Sequence, residues 1–279
     1  MMRLLVTGAR GQLGLALAAM CQGRDVEFRG IDLPEYDITD AAVVAAAVHR
    51  FSPQVIVNCA AFTAVDAAEE REAEARRVNA EAVGFLAQAA DAAGSLLVQI
   101  STDYVFDGSQ QRPYREDDPC RPLQVYGRTK LEGEQAARRA ARHLIVRTAW
   151  LYGEGHNFVR TIRRQLEAGS RTLTVVADQF GCPTYAGDLA DAILRLVRLE
   201  AEGVVHVVND GYTSWHGLAC EIVRLVGSTA EVVPVETAAV PRPARRPSWS
   251  VLDTTRLSSI LGAPMPPWRD ALARYLASG

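Results

Sequence analysis

The 279-residue sequence predicts an α/β fold, a doubly wound parallel sheet with a smaller C-terminal lobe. Three observations point there. Short apolar runs alternate with long alanine-rich helical stretches from the N-terminus onward. The runs are apolar almost without interruption, as in Val55-Ile56-Val57, which suits strands covered on both faces. The first run also passes directly into a glycine-rich turn and then into a helical stretch.

Taken in order, strands are expected over residues 3–7, 26–31, 54–58, 96–101 and 144–147. Helices fill the intervals near 11–22, 39–51, 66–93 and 122–142. Pro53 stands just before the third strand, where it removes no ladder hydrogen bond. Arg138, Arg139 and Arg142 read as a solvated face of the last of these helices. After Trp150 the rhythm loosens. The turn-rich run 178–184 and the proline-rich stretch 240–247 read as loops of a smaller lobe. Residues 1–152 are therefore expected to form the core, with elements from about 185–228 returning to the sheet. Residues 153–184 and 229–279 are expected to make up most of a substrate-binding lobe.

Composition narrows the classes. With 48% hydrophobic residues the chain can bury a real core, and the net charge of −3 with scattered arginines marks no nucleic-acid or membrane surface. Five cysteines, odd in number and widely spaced, form no ligand box, so a reducing, cytoplasmic setting is expected. No run reaches membrane-spanning length.

The turn after the first strand reads Gly8-Ala9-Arg10-Gly11-Gln12-Leu13-Gly14. Three glycines at this spacing let the backbone turn tightly and approach a pyrophosphate, while the helix N-terminus faces the anion. The fold is thus of Rossmann type, with Gly8, Gly11, Gln12, Leu13 and Gly14 against a dinucleotide. Asp32, after the second strand, sits where an acid can bind the adenosine ribose of NAD. Arg10 is placed to meet the 2′-phosphate of NADP instead. The two signals leave use of both cofactors open, with NADPH expected and NADH also accepted.

Of the 30 lysines and arginines only one is lysine, and Lys130 stands four residues after Tyr126. On a helix such a pair shares a face. An ammonium is a compact charge with three rotatable donors that fits beside a phenol, which a guanidinium does not. Lowering a tyrosine from its ordinary value near 10 toward neutrality takes roughly 4 kcal/mol of differential stabilisation. Lys130 is expected to supply part of it and so to make Tyr126 a general acid near neutral pH.

Glycine turn and Tyr-x-x-x-Lys pair together resemble the extended short-chain dehydrogenases/reductases. More specific runs, residues 58–66, Ser101-Thr102-Asp103-Tyr104-Val105-Phe106-Asp107-Gly108, 147–153, 178–184 and Arg246-Pro247-Ser248 with Leu252-Asp253-Thr254, are similar to the dTDP-4-dehydrorhamnose reductases within that superfamily. The resemblance runs in order across nearly the whole chain. It implies reduction of the C4 ketone of a nucleotide-linked 6-deoxyhexulose by a nicotinamide cofactor, the last step of dTDP-L-rhamnose synthesis for surface polysaccharide. It implies Tyr126, Lys130 and Thr102 as catalytic residues. Ala61, Phe62 and Thr63 would form a loop along the cofactor, and Asp37 and Ile38 would lie near its adenine. Asp103 and Trp150 would meet the substrate. Asp37 reads equally as a helix cap, Asp103 as a turn cap, Trp150 as core, and Arg245 and Arg246 as either diphosphate ligands or a solvated turn.

Some relatives carry a glutamate two residues after the third glycine, part of a magnesium site at a dimer contact. Here that residue is Ala16, so no metal is expected, and the chain is read as a monomer or weak homodimer. Its partner would be a nucleotide sugar. Rival readings are a GDP-fucose synthase-like or deoxytalose-forming enzyme, and a non-catalytic subunit like the regulatory one of methionine adenosyltransferase.

Overall fold

The computed structural model describes residues 1–278. Its main sheet has six strands, all parallel, in the order β10-β5-β4-β3-β1-β2. These are β1 (Met2–Thr7), β2 (Val26–Ile31), β3 (Val55–Asn58), β4 (Leu96–Thr102), β5 (His143–Thr148) and β10 (Gly203–His206). Alternation along each strand divides the core in two. Leu4, Val6, Val57, Val98 and Val146 face α1 (Gln12–Cys21) and α8 (Ala186–Arg198). Leu5, Ile56, Leu97 and Ile145 face α2 (Ala41–Phe51), α5 (Ala82–Ala93) and the end of α6 (Val125–Ala137). Each such fully buried aliphatic contributes about 1.5–3 kcal/mol, which is why the strand centres are mostly aliphatic. The strand order reverses at β1, between β2 and β3, and opens a crevice at the carboxyl ends of β1 and β3.

Local chemistry sets the helix ends. Asp40 caps α2 by accepting from the Ala42 and Val43 amides, an interaction worth about 1 kcal/mol. The expected single helix over 66–93 is four pieces: α3 (Val65–Glu70), α4 (Glu72–Arg76), a π-helical turn (Arg77–Glu81) and α5. The helix expected over 122–142 is shorter because the chain turns after Ala137. Arg138 is its C-cap, and Arg142 lies beyond it, near Glu200 and Glu202, so the three arginines do not form one helix face.

The smaller lobe is built on α7 (Phe158–Glu167), β7 (Thr172–Val176), β12 (Glu231–Val235), α9 (Trp215–Leu225) and α11 (Trp268–Ser278). Short pairs, β6 (Leu151–Tyr152) with β9 (Thr184–Tyr185) and β8 (Phe180–Gly181) with β11 (Thr213–Ser214), connect it to the core. Here one expectation is corrected. α9, within the stretch expected to return to the sheet, buries Leu218, Ile222 and Val223 against α7 and β7 instead. Conversely α10 (Thr255–Leu261) places Leu257 in the core of the main sheet. Its single apolar stripe fits the helix layer beside β10.

Candidate active site

A cleft of about 630 Å³ opens at the crevice and extends along the end of β4 to the lobe boundary. Gly8, Gly11, Gln12, Leu13 and Gly14 form one end. The turn is compact because a Cβ on Gly8 would stand 2.6 Å from the Ala60 amide, and one on Gly14 2.5 Å from the Gly8 carbonyl. Gly11 is the N-cap of α1 and brings no side chain to it. The first amides of α1 are thus left for a ligand, which suits a pyrophosphate.

Asp32, Asp37, Ile38, Ala61 and Thr63 also line the cleft, whereas Arg10 and Phe62 do not. The Arg10 guanidinium reaches the Leu33 carbonyl and Glu35, the latter at 3.1 Å, because Asp32 accepts from its amide at 2.7 Å and turns the residue outward. Arg10 is therefore not preset on a 2′-phosphate, contrary to expectation. Phe62 packs with Ala68, Ala75 and Val125, and the Arg71 guanidinium lies 5.1 Å from its ring centre. Asp37 caps the turn before α2 by accepting from the Thr39 amide and hydroxyl, so it both lines the cleft and caps.

At the far end stand Thr102, Asp103, Tyr126, Lys130 and Trp150. Tyr126 and Lys130 share a face of α6, whose first turn is held by Glu69 accepting from the Val125 amide at 2.8 Å. Gly127 and Gly133 let this helix dock closely. A Cβ on the first would fall 2.1 Å from the Tyr104 carbonyl, and on the second 2.0 Å from the Asn79 carbonyl. The Thr102 side chain caps a 3-10 turn (Asp103–Val105) through the Tyr104 amide and donates to Asp103 at 3.0 Å. Asp103 is buried, and burial pushes its carboxyl up to about 7 despite hydrogen bonds. Its Oδ2 finds no hydrogen-bond partner among the described residues.

The expected effect of Lys130 on Tyr126 is corrected. Lys130 donates to the Ile100 carbonyl at 2.6 Å. Burial draws its ammonium down to about 8. Tyr126 is pushed up to about 12, because desolvation of the phenolate outweighs the Thr102 hydroxyl beside it. The phenol thus keeps its proton at neutral pH, the form a reduction requires of a donor.

Trp150 has the left-handed φ of 45°, rare for so bulky a residue, and stacks on Trp215 with ring centres 3.5 Å apart. Gly181 makes this possible, since a Cβ there would lie 2.5 Å from the indole. Such conformations cost on the order of 1–3 kcal/mol and cluster at functional sites.

Three residues escaped the sequence reading. Asn79, buried in the π-helical turn, receives the Phe62 amide and donates to the Phe62 carbonyl and the Thr129 hydroxyl. It ties the 61–63 loop to α6. Trp215 lies far from Trp150 in sequence, and nothing in its own neighbourhood marks it. Asp66 binds Arg246 at 2.9 Å and Arg242 at 3.3 Å, linking the main sheet's side to the proline-rich loop. Arg246 is thereby a half-buried ion-pair partner, and Arg245 is exposed. No group of three or more His, Cys, Asp or Glu among the described residues could hold a metal. Asp188 is engaged by Arg274 and Asn209.

A Rossmann-type sheet with a glycine-turn cleft at its switch point defines the class of dinucleotide-binding α/β proteins. The family model described as "RmlD substrate binding domain" matches residues 2–279. dTDP-4-dehydrorhamnose reductase of Streptomyces griseus is 47% identical over 279 residues, covering 97% of this chain and 91% of its own length. A probable dTDP-4,6-dihydroxy-2-methyloxan-3-one 4-ketoreductase of Streptomyces antibioticus is 43% identical, covering 97% and 93%. The solved dTDP-4-dehydrorhamnose reductase of Bacillus anthracis in complex with NADP superposes with a TM-score of 0.96 at 35% identity, over 100% and 99% of the chains. The chain belongs to the dTDP-4-dehydrorhamnose reductase family.

Proposed function

We propose that this protein reduces the C4 ketone of dTDP-4-dehydro-β-L-rhamnose to dTDP-L-rhamnose with NADPH, and also with NADH. The observation that carries the reading is the single cleft that joins a glycine-turn anion site to Thr102, Tyr126, Lys130 and Trp150, in a chain 47% identical to a reductase of that name. A nicotinamide cofactor bound there supplies the hydride. Tyr126, protonated at working pH, donates its proton to the C4 oxygen as charge develops there. The Thr102 hydroxyl, which donates to Asp103 in the free protein, turns its one proton to the same oxygen. Lys130 spends one donor on Ile100 and keeps two for the nicotinamide ribose and the phenol. The Trp150 face packs against the deoxysugar, and Asp103 receives or donates to a sugar hydroxyl.

The division into a dinucleotide core and a substrate lobe follows the same reading, with the nucleotide sugar between them. No helix among the described residues is long and apolar enough to cross a membrane. A cytoplasmic, metal-independent monomer or weak dimer is part of the proposal.

A second reading has its own observation, the relative named as a 4-ketoreductase of a different dTDP-linked sugar. Steady-state reduction of dTDP-4-dehydro-L-rhamnose, that second dTDP-ketosugar and a GDP-4-ketosugar by the purified protein separates them. The highest kcat/KM is expected for the first. A preference for either of the others would replace it.

A further inference from the structure

Behind the cleft lies a buried charged cluster that proton transfer does not use. Glu134 is wholly buried and stands one turn after Lys130 and two after Tyr126 on the same face of α6. Arg147 of β5, 1% exposed, donates to both its carboxylate oxygens at 2.8 Å. Ser101 of β4, the residue before Thr102, donates to Glu134 at 2.6 Å. The Arg147 guanidinium also reaches the Glu116 carbonyl and Cys120, each at 3.2 Å, in the segment that leads into α6.

A buried ion pair is weak evidence of stabilisation, since an apolar pair of equal volume often serves as well or better. What apolar contacts do not provide here is direction. α6 docks through Gly127 and Gly133, which present no side chains to interlock with their neighbours. Such a contact resists sliding along the helix axis poorly. Paired, oriented hydrogen bonds to two adjacent strands resist it well.

We infer that Glu134 is a positioning residue for the reduction: with Arg147 and Ser101 it locks α6 in one register against β4 and so sets Tyr126 and Lys130 opposite Thr102. The inference rests on the roles proposed above for Tyr126 and Lys130. Glu134 is also the carboxylate that favours the charged form of Lys130, opposing burial, and Cys59 acts in the same sense. Arg138, at the C-cap of α6, also reaches Glu134 at 3.4 Å from the solvent side, and the His206 ring lies 3.5 Å from the Arg147 guanidinium. The remaining charged or titratable groups around α6 point elsewhere. Glu72, Arg76, Arg128 and Glu132 pair on its exposed face, Glu69 holds its N-terminus, and Asp103 and Tyr104 face Tyr126.

The test compares Glu134→Gln and Ser101→Ala with the parent in kcat, in KM for NADPH, and in kcat/KM against pH, which reports groups of the free enzyme. Glu134→Gln is expected to lower kcat by about 10- to 100-fold while KM for NADPH moves less than roughly three-fold, as for a displaced catalytic group. Its alkaline limb is expected to move to lower pH, because Lys130 loses the carboxylate that keeps it charged. Ser101→Ala is expected to lower kcat in the same sense with the limb in place. A folded Glu134→Gln protein with parental kcat and an unmoved limb would overturn the inference. So would parental kcat in Ser101→Ala, which decides the matter alone if Glu134→Gln does not fold. A parent with no alkaline limb would indict the role of Lys130 instead.

Discussion

At Tyr126 the ring packs at 6.1 Å edge-to-face on Tyr104, so removal of the hydroxyl leaves the packing in place. Tyr126→Phe is expected to retain cofactor affinity and lose about 10²–10⁴-fold in kcat, the range of general acid catalysis. Near-parental turnover would remove Tyr126 from the proposal. Lys130→Arg is expected to be nearly as inactive as Lys130→Ala. The buried ammonium sits 2.6 Å from the Ile100 carbonyl, and a planar guanidinium cannot be accommodated there. Full activity in Lys130→Arg would make the rarity of lysine irrelevant. Arg10 is a weaker case, since it faces Glu35 in a solvent-exposed pair, weak enough for a phosphate to displace. Arg10→Ala is expected to lower the NADPH-to-NADH ratio of kcat/KM, and an unchanged ratio would show that Arg10 does not read the 2′-phosphate. The sequence made the Tyr126–Lys130 pair visible because helical spacing is local. It did not make the acidity of Tyr126 visible, because that is set by burial and by Thr102 and Asp103, which only the fold brings beside the phenol.

At the scale of elements, apolar runs and glycine punctuation located every strand of the main sheet save the edge strand β10, a four-residue piece far from its partner β5 in sequence. The breaks within 65–93 were hidden, since alanine-rich sequence favours uninterrupted helix. The π-helical turn arises where Asn79 must reach both Phe62 and Thr129, a tertiary demand. α6 meets that turn through Gly133. Gly133→Ala is expected to lower the melting temperature by about 2–5 °C, the shift that a core-overpacking cost of roughly 1–3 kcal/mol produces in a chain of this size. Circular dichroism melts check this, and an unchanged midpoint would mean that the two elements separate freely.

Across the whole molecule the contacts between the lobes include the Trp150–Trp215 stack, the Asp66–Arg246 pair, and Asn157 donating to Gln12 at 3.0 Å. The sequence hinted at two lobes through its loosening rhythm but misplaced α9 and α10, whose amphipathic faces suit either partner layer. With Ala16 at the position where some relatives place a ligand, and Asp188 already held by Arg274, EDTA is expected to leave the reaction rate and the mass in size-exclusion chromatography unchanged. A loss restored by magnesium would demand a metal site built from other groups. The reduction itself is tested most directly by incubating the purified protein with dTDP-4-dehydro-L-rhamnose and NADPH carrying deuterium at the transferred position, and following the product by NMR. The expected product is dTDP-L-rhamnose with deuterium at C4, formed in step with cofactor oxidation. Recovery of unlabelled ketosugar, or of the C4 epimer, would contradict the account.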